Sequence, residues 1–295
     1  MQRKDSVLNK KYESTEQKIF RVAYPPVLYY LIMMATQVAV GFVVVFLAAK
    51  KMSTANATDS ANFFQAMIEV VNRYVVFCNI VSACIGILVF VCIYRYDIKR
   101  KERMSLKEEL KNIRTENVMM CYCIGITVCT GISLFLSLLP LDGVLGSYEK
   151  VSSQLMNGSF IWLFVGLGIL VPIAEELLYR GVVYLRLREY VGVTKAIVIS
   201  AAVFGLFHFN LLQSTYAFLI GILLAMAVEK FGSIMASIVM HMAVNQLSVI
   251  LTVTGINKII SKNIIIYLAV MVILLAVGGL LFAKSEIYEI GNSDN

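Results

Sequence analysis

Glu175 and Glu176 stand side by side in the apolar run VPIAEELLYRG, followed four residues later by Arg180. The only two histidines of the 295 residues also lie in apolar runs, His208 in AAVFGLFHFN and His241 in SIVMHMAVNQ, the second followed by Asn245. An ionised side chain at the centre of a bilayer costs ~2.5–3.5 kcal/mol by insertion scales, so such residues mark functional sites by default. Two carboxylates, a guanidinium, two imidazoles and an amide together form a set that can activate water and stabilise developing charge. That is hydrolytic chemistry placed inside a membrane.

The spacing assigns each group a face. On a helix Glu176 and Arg180 are i,i+4 neighbours and can form an ion pair. Glu175 points about 100° around the axis, toward another partner. Pro172, one turn earlier, loosens the backbone ladder and predicts a kink. A plainer reading puts both acids at a cytosolic helix end, pairing with Arg180, Arg186 and Arg188. Against it, the apolar pattern runs on past them through Val182 and Leu187. Phe204 and His208 share one helix face, as do His241 and Asn245. A lone histidine in an apolar helix is usually a satisfied core residue; two of them, with two acids and an amide, shift the balance toward a site. Counted from the nearest cytosolic base (Arg188, Lys195 or Lys230), Glu175, His208 and His241 lie at similar positions along their helices. At 1.5 Å per residue that depth is roughly 16–20 Å for all three, so they can meet at one level.

The elements that must position them are membrane helices. The chain is 59% hydrophobic and 15% charged, with mean hydropathy +0.78, whereas a soluble domain carries about 25% charged residues. Apolar runs fall at roughly 25–49, 70–94, 118–139, 158–181, 194–211, 213–229, 232–252 and 263–283, and a crossing helix needs ~20 residues. No alternating ten-residue pattern supports a barrel. The expectation is an all-α polytopic membrane protein with about eight transmembrane helices around an intramembrane polar cavity. The first run, about 25 residues long, resembles a retained anchor more than a signal peptide, whose apolar core is ~7–15 residues. The chain divides into an N-terminal three-helix region (1–157) with a basic cytosolic loop at 95–117, a core (158–252) holding the polar residues, and a last helix with a short tail (253–295).

The net charge of +7 does not point to nucleic acid. With the N-terminus inside, only Lys50, Lys51, Arg73, Lys150, Lys258 and Lys262 fall outside. This asymmetry places both termini in the cytosol of a multi-pass cell-membrane protein. The loop 95–117 reads as a solvated, topogenic amphipathic helix, with contact to anionic headgroups as the alternative. The six cysteines lie in or beside the second and third runs without a C-x-x-C pair or a nearby histidine, which speaks for packing. A nucleophile elbow and a phosphate-binding glycine loop are both missing from the sequence.

The order E-E-x-x-x-R (Glu175, Glu176, Arg180), F-x-x-x-H (Phe204, His208), H-x-x-x-N (His241, Asn245) resembles the three motifs of the CPBP intramembrane protease family, also called the Abi or CAAX-protease family after the type II CAAX prenyl endopeptidase. The resemblance covers about residues 158–250. It implies an eight-helix bundle with a cavity open to the cytosol, and an endopeptidase in which Glu175, assisted by His208, activates water. His241 and Asn245 would face the oxyanion, with Glu176, Arg180 and Phe204 in support. The family is labelled metalloprotease, and Glu175, His208 and His241 could ligate Zn²⁺; but the H-E-x-x-H arrangement is absent and asparagine is a poor zinc ligand, which favours a metal-free mechanism. The resemblance implies a peptide or protein tail as substrate at the lipid bilayer, with bacteriocin-like processing or self-immunity as the associated roles. A proton- or cation-coupled transporter and a non-catalytic scaffold are the other classes such buried groups can serve.

Overall fold

A computed structural model describes residues 13–53, 60–101, 107–109, 114–136, 138, 156, 158–256 and 263–285. Among the described residues eight long helices follow one another: α1 (Thr15–Ser53), α2 (Ser60–Lys101), α3 (Thr115–Leu136), α4 (Phe160–Val191), α5 (Val193–Leu206), α6 (Leu211–Phe231), α7 (Ile234–Thr254) and α8 (Ile264–Lys284). All but α5 are long and apolar enough to cross a membrane. The all-α polytopic reading therefore holds.

The difference lies at α5. The apolar run extends to residue 211, but the helix stops at Leu206, after 14 residues. That is ~21 Å of rise, short of the ~30 Å hydrocarbon core. Phe209 takes the left-handed conformation (φ 53°), and Asn210 begins the next helix by accepting the Gln213 N–H through Oδ1 at 3.2 Å. Hydropathy cannot see this break because Phe207 and Phe209 are as apolar as the helix itself. α5 and α6 then pack as an antiparallel hairpin.

Without water in the hydrocarbon, each backbone donor must be satisfied internally, and the helix starts show how. Ser14 and Gln17 exchange hydrogen bonds at the head of α1 as a capping box. Ser233 Oγ accepts the Met235 N–H, and Asn263 Oδ1 accepts those of Ile265 and Ile266. Gly192, at φ 79°, makes the single-residue turn from α4 to α5, a conformation side chains resist.

The bundle is organised around α4, whose residues from Glu176 to Tyr184 are all buried. It packs against α1, α2, α5 and α7. Two stretches of α4, Gly166–Leu170 and Leu177–Tyr184, adopt the wider π-helical register, as does Gly125–Cys129 in α3. Such turns are rare and recur at functional sites. Three large residues on the outer face, Phe42, Leu88 and Ile265, are 70–76% exposed, as a lipid-facing surface requires.

α3 approaches α7 closely at Gly125, where a Cβ would lie 2.5 Å from the Met240 carbonyl oxygen. That oxygen belongs to the helix rung next to His241 and cannot yield as a side chain would. Gly125→Ala is expected to destabilise the bundle by about 1–3 kcal/mol, the usual cost of overpacking. A lowered thermal midpoint in detergent or nanodiscs checks this; an unchanged midpoint would show that α3 moves freely against α7.

Candidate active site

The site is built outward from Glu176, whose side chain has no solvent exposure. Its Oε1 accepts two hydrogen bonds, from Arg180 Nη1 at 2.7 Å and from His241 Nδ1 at 2.8 Å. The i,i+4 ion pair anticipated from spacing is present; the bond to His241 was not anticipated. Arg180 continues the network: Nη2 donates to the Gly221 carbonyl of α6 at 3.1 Å, and the guanidinium lies 4.6 Å from the centre of the Phe204 ring on α5. One ion pair thus ties α4 to α5, α6 and α7. Among the described residues Glu176 Oε2 and Arg180 Nε are the two buried side-chain polar atoms left without a hydrogen-bond partner.

Arg186 and Arg188 do not compete for these acids. Arg186 Nε binds Asp97 of α2 at 2.7 Å, and Arg188 Nε binds Glu229 of α6 at 2.6 Å. Of the plainer reading, only the Glu176–Arg180 pair is present, and it is buried rather than at a solvated helix end.

The hydrogen bonds also settle the imidazole tautomers. A carboxylate accepts only, so His241 Nδ1 carries a proton and Nε2 is the nitrogen turned elsewhere. That nitrogen is 3.7 Å from Glu175 Oε2. His208 Nδ1 lies 2.9 Å from the Phe204 carbonyl oxygen, an acceptor four residues back, so His208 likewise presents Nε2. Both rings stand edge-on to Phe204, with centroids 4.9 Å away for His208 and 5.8 Å for His241. The sum of those distances is the upper limit on their separation, and the two histidines share one region of the bundle. Glu175 keeps 18% side-chain exposure beside the fully closed Glu176.

Asn245 is held by a feature of α4. The π turn directs the Val171 N–H to the Gly166 carbonyl, and Pro172 has no N–H to give. The Leu167 carbonyl therefore lacks both its i+4 and i+5 donors, and Asn245 Nδ2 donates to it at 3.0 Å. This uses one of the two amide hydrogens. The sequence suggested a kink at Pro172; its structural use is this freed carbonyl.

Two tyrosines escaped the sequence reading. Tyr179 and Tyr29 lie within electrostatic reach of the Glu175 carboxylate. Tyr179 is i+4 to Glu175 and could have been found by spacing. Tyr29, on α1, carries no such signal.

Zinc would need Glu175, His208 and His241 to converge. The Nδ1 atoms of His241 and His208 are taken by Glu176 and the Phe204 carbonyl, so only Nε2 of each ring could face such an ion beside Glu175. Among the described residues no three His, Cys, Asp or Glu side chains are gathered into a metal-binding group.

Residues 157–247 match the family model described as Rce1-like, type II CAAX prenyl endopeptidase. The matched stretch contains all three motifs and agrees with the resemblance drawn from them. Comparison with curated proteins and with solved structures gave no match.

Glu176→Ala would leave Arg180 buried and unpaired, and breaking such a pair costs about 3–5 kcal/mol. Replacing both partners by apolar residues (Glu176→Leu with Arg180→Met) is expected to recover most of that loss. Thermal unfolding of the wild type and the two variants checks this; a double variant as unstable as Glu176→Ala would show that the charge pair is not the source.

Proposed function

We propose that this chain is an intramembrane endopeptidase that hydrolyses a peptide bond in or near the membrane with glutamate- and histidine-activated water. The observation that supports it most directly is the pinned imidazole of His241, bonded at Nδ1 to a buried carboxylate and turned at Nε2 toward Glu175. The match of residues 157–247 to the Rce1-like, type II CAAX prenyl endopeptidase family model also supports a peptidase.

On this reading Glu175, the more exposed carboxylate, takes a proton from water with His208 Nε2 as its assistant. The water oxygen bonds to the scissile carbonyl carbon and the carbonyl π electrons move to its oxygen. His241, protonated at Nε2 and stabilised from behind by Glu176, donates to that oxyanion together with the second N–H of Asn245. The tetrahedral intermediate then collapses, the C–N bond breaks, and the proton held by Glu175 passes to the leaving amine. The carbonyl of Leu167 and the ring of Phe204 act by orientation alone. No step requires a metal.

The substrate is a peptide or protein tail presented at the bilayer; a bacteriocin-like or leader peptide is a substrate of that kind, with self-immunity as a related role. The enzyme sits in the cell membrane with both termini in the cytosol. A cysteine at Lys107, an exposed position, should be labelled only after permeabilisation, and labelling from outside intact cells would reverse the topology.

Glu175→Gln keeps the volume and removes the base, and should abolish cleavage of a membrane-presented peptide while the thermal midpoint stays within a few degrees. His208→Ala should be nearly as severe. Asn245→Ala should lower the rate by ~10²–10³, the usual cost of one oxyanion donor. Activity should survive chelators. Solute flux without cleavage, or stoichiometric zinc whose removal and return switch activity off and on, would overturn the proposal.

A further inference from the structure

The charged segment between α2 and α3 reads from sequence as a solvated loop, yet Glu109 within it is only 7% exposed. Its carboxylate is shared among three donors. Oε1 accepts the Tyr94 hydroxyl of α2 at 2.5 Å, while Oε2 accepts the Ser233 hydroxyl at 2.8 Å and the Ile234 backbone N–H at 3.0 Å. Ser233 is itself the N-cap of α7, its Oγ accepting from Met235 N–H. A carboxylate at this position meets the positive end of the helix and satisfies a donor that would otherwise be orphaned.

α7 carries His241 two turns below this contact and Asn245 one turn further. Its axial position sets how His241 Nδ1 meets Glu176 and how far Nε2 lies from Glu175. Near the site, α7 is held by α3 at Gly125 and by the Asn245–Leu167 bond. Neither fixes its N-terminal end. At the junction with α6 the chain turns through Gly232 in the left-handed conformation (φ 65°), a short connection. A misplacement of about 1 Å at reacting groups can cost ~10²-fold in rate.

We propose that Glu109 is a positioning residue: its carboxylate clamps the start of α7 against Tyr94 of α2 and thereby sets the register of His241 and Asn245. The proposal rests on the peptidase reading, in which those two side chains face the oxyanion, but the clamp itself is testable without it.

The experiment compares wild-type protein with Glu109→Gln, Glu109→Ala and Tyr94→Phe, all in the full chain in nanodiscs, with a membrane-presented peptide as probe. Hydrogen exchange is measured at the Ile234 and Met235 amides alongside kcat, KM and the thermal midpoint. The expected result for Glu109→Ala is at least tenfold faster exchange at those amides, and kcat lowered about tenfold or more with KM within about twofold. Glu109→Gln, which retains an acceptor oxygen, should restore part of both, and Tyr94→Phe should have the smallest effect. If Glu109→Ala does not fold, the near-isosteric Glu109→Gln decides through the same two readouts. Exchange at Ile234 and Met235 unchanged in both Glu109 variants would overturn the clamp. Faster exchange with unchanged kcat would overturn its link to the site. A wild-type protein that cleaves nothing would instead defeat the peptidase reading and leave the exchange measurement to decide the clamp.

Discussion

A fully buried ion pair governs this structure. Glu176 and Arg180 are both fully enclosed, and two such charges stay ionised only while each meets the other and enough dipoles besides. The requirement propagates. Arg180 needs the Gly221 carbonyl, which forces α6 close and leaves no room for a side chain there: a Cβ on Gly221 would already be 3.0 Å from that of Ala201 and 3.3 Å from Arg180 Nη2. It also needs the face of Phe204, which brings α5 in; Glu176 needs a second donor, and His241 supplies it from α7. Four helices are located by the electrostatic demands of one pair. The short α5 belongs to this logic, since it brings in Phe204, with His208 in the turn just past its end.

A second constraint comes from proline. In a bilayer a helix proline leaves carbonyls without donors, and neighbouring elements must supply replacements. In α4 the π turn and Pro172 free the Leu167 carbonyl, and Asn245 takes it. In α1, Pro25 cannot donate to the Arg21 carbonyl, and Arg186 Nη1 bonds that oxygen instead while its Nε holds Asp97. Both backbone defects are thereby converted into fixed anchors for polar side chains from other helices. The two lie on opposite parts of α4's surroundings, one beside the site and one near its C-terminal end, so α4 is held at both levels.

How much of this is legible in sequence depends on the range of the interaction. Spans, the Glu176–Arg180 pair and the shared depth of Glu175, His208 and His241 follow from periodicity and hydropathy, which are local. The end of α5 at Leu206 does not, because nothing in LFHFN is polar enough to mark it apart from the histidine and the asparagine that caps α6. The π register is equally silent: Gly125, Gly166, Gly168 and Gly181 are consistent with it but also with ordinary close packing. Glu109 was hidden for a different reason. It sits among bases in a segment whose composition says solvent, and its burial arises from Tyr94 and Ser233, the latter 124 residues away in sequence. The bond between Glu176 and His241, 65 residues apart, is of the same kind.

The charge count of the cluster gives these contacts a common meaning. Arg180 and Glu176 cancel, so the charge that remains is that of Glu175 and His241. Glu175 Oε2 and His241 Nε2 lie 3.7 Å apart. Hydrolysis needs a proton to leave water as the carbonyl is attacked and a proton to reach the amine as it departs. On the peptidase reading, adjacent carboxylates divide the work because the helix turns one inward to Arg180 and His241 and the other toward the more open side. The Arg180 pairing keeps the two environments distinct.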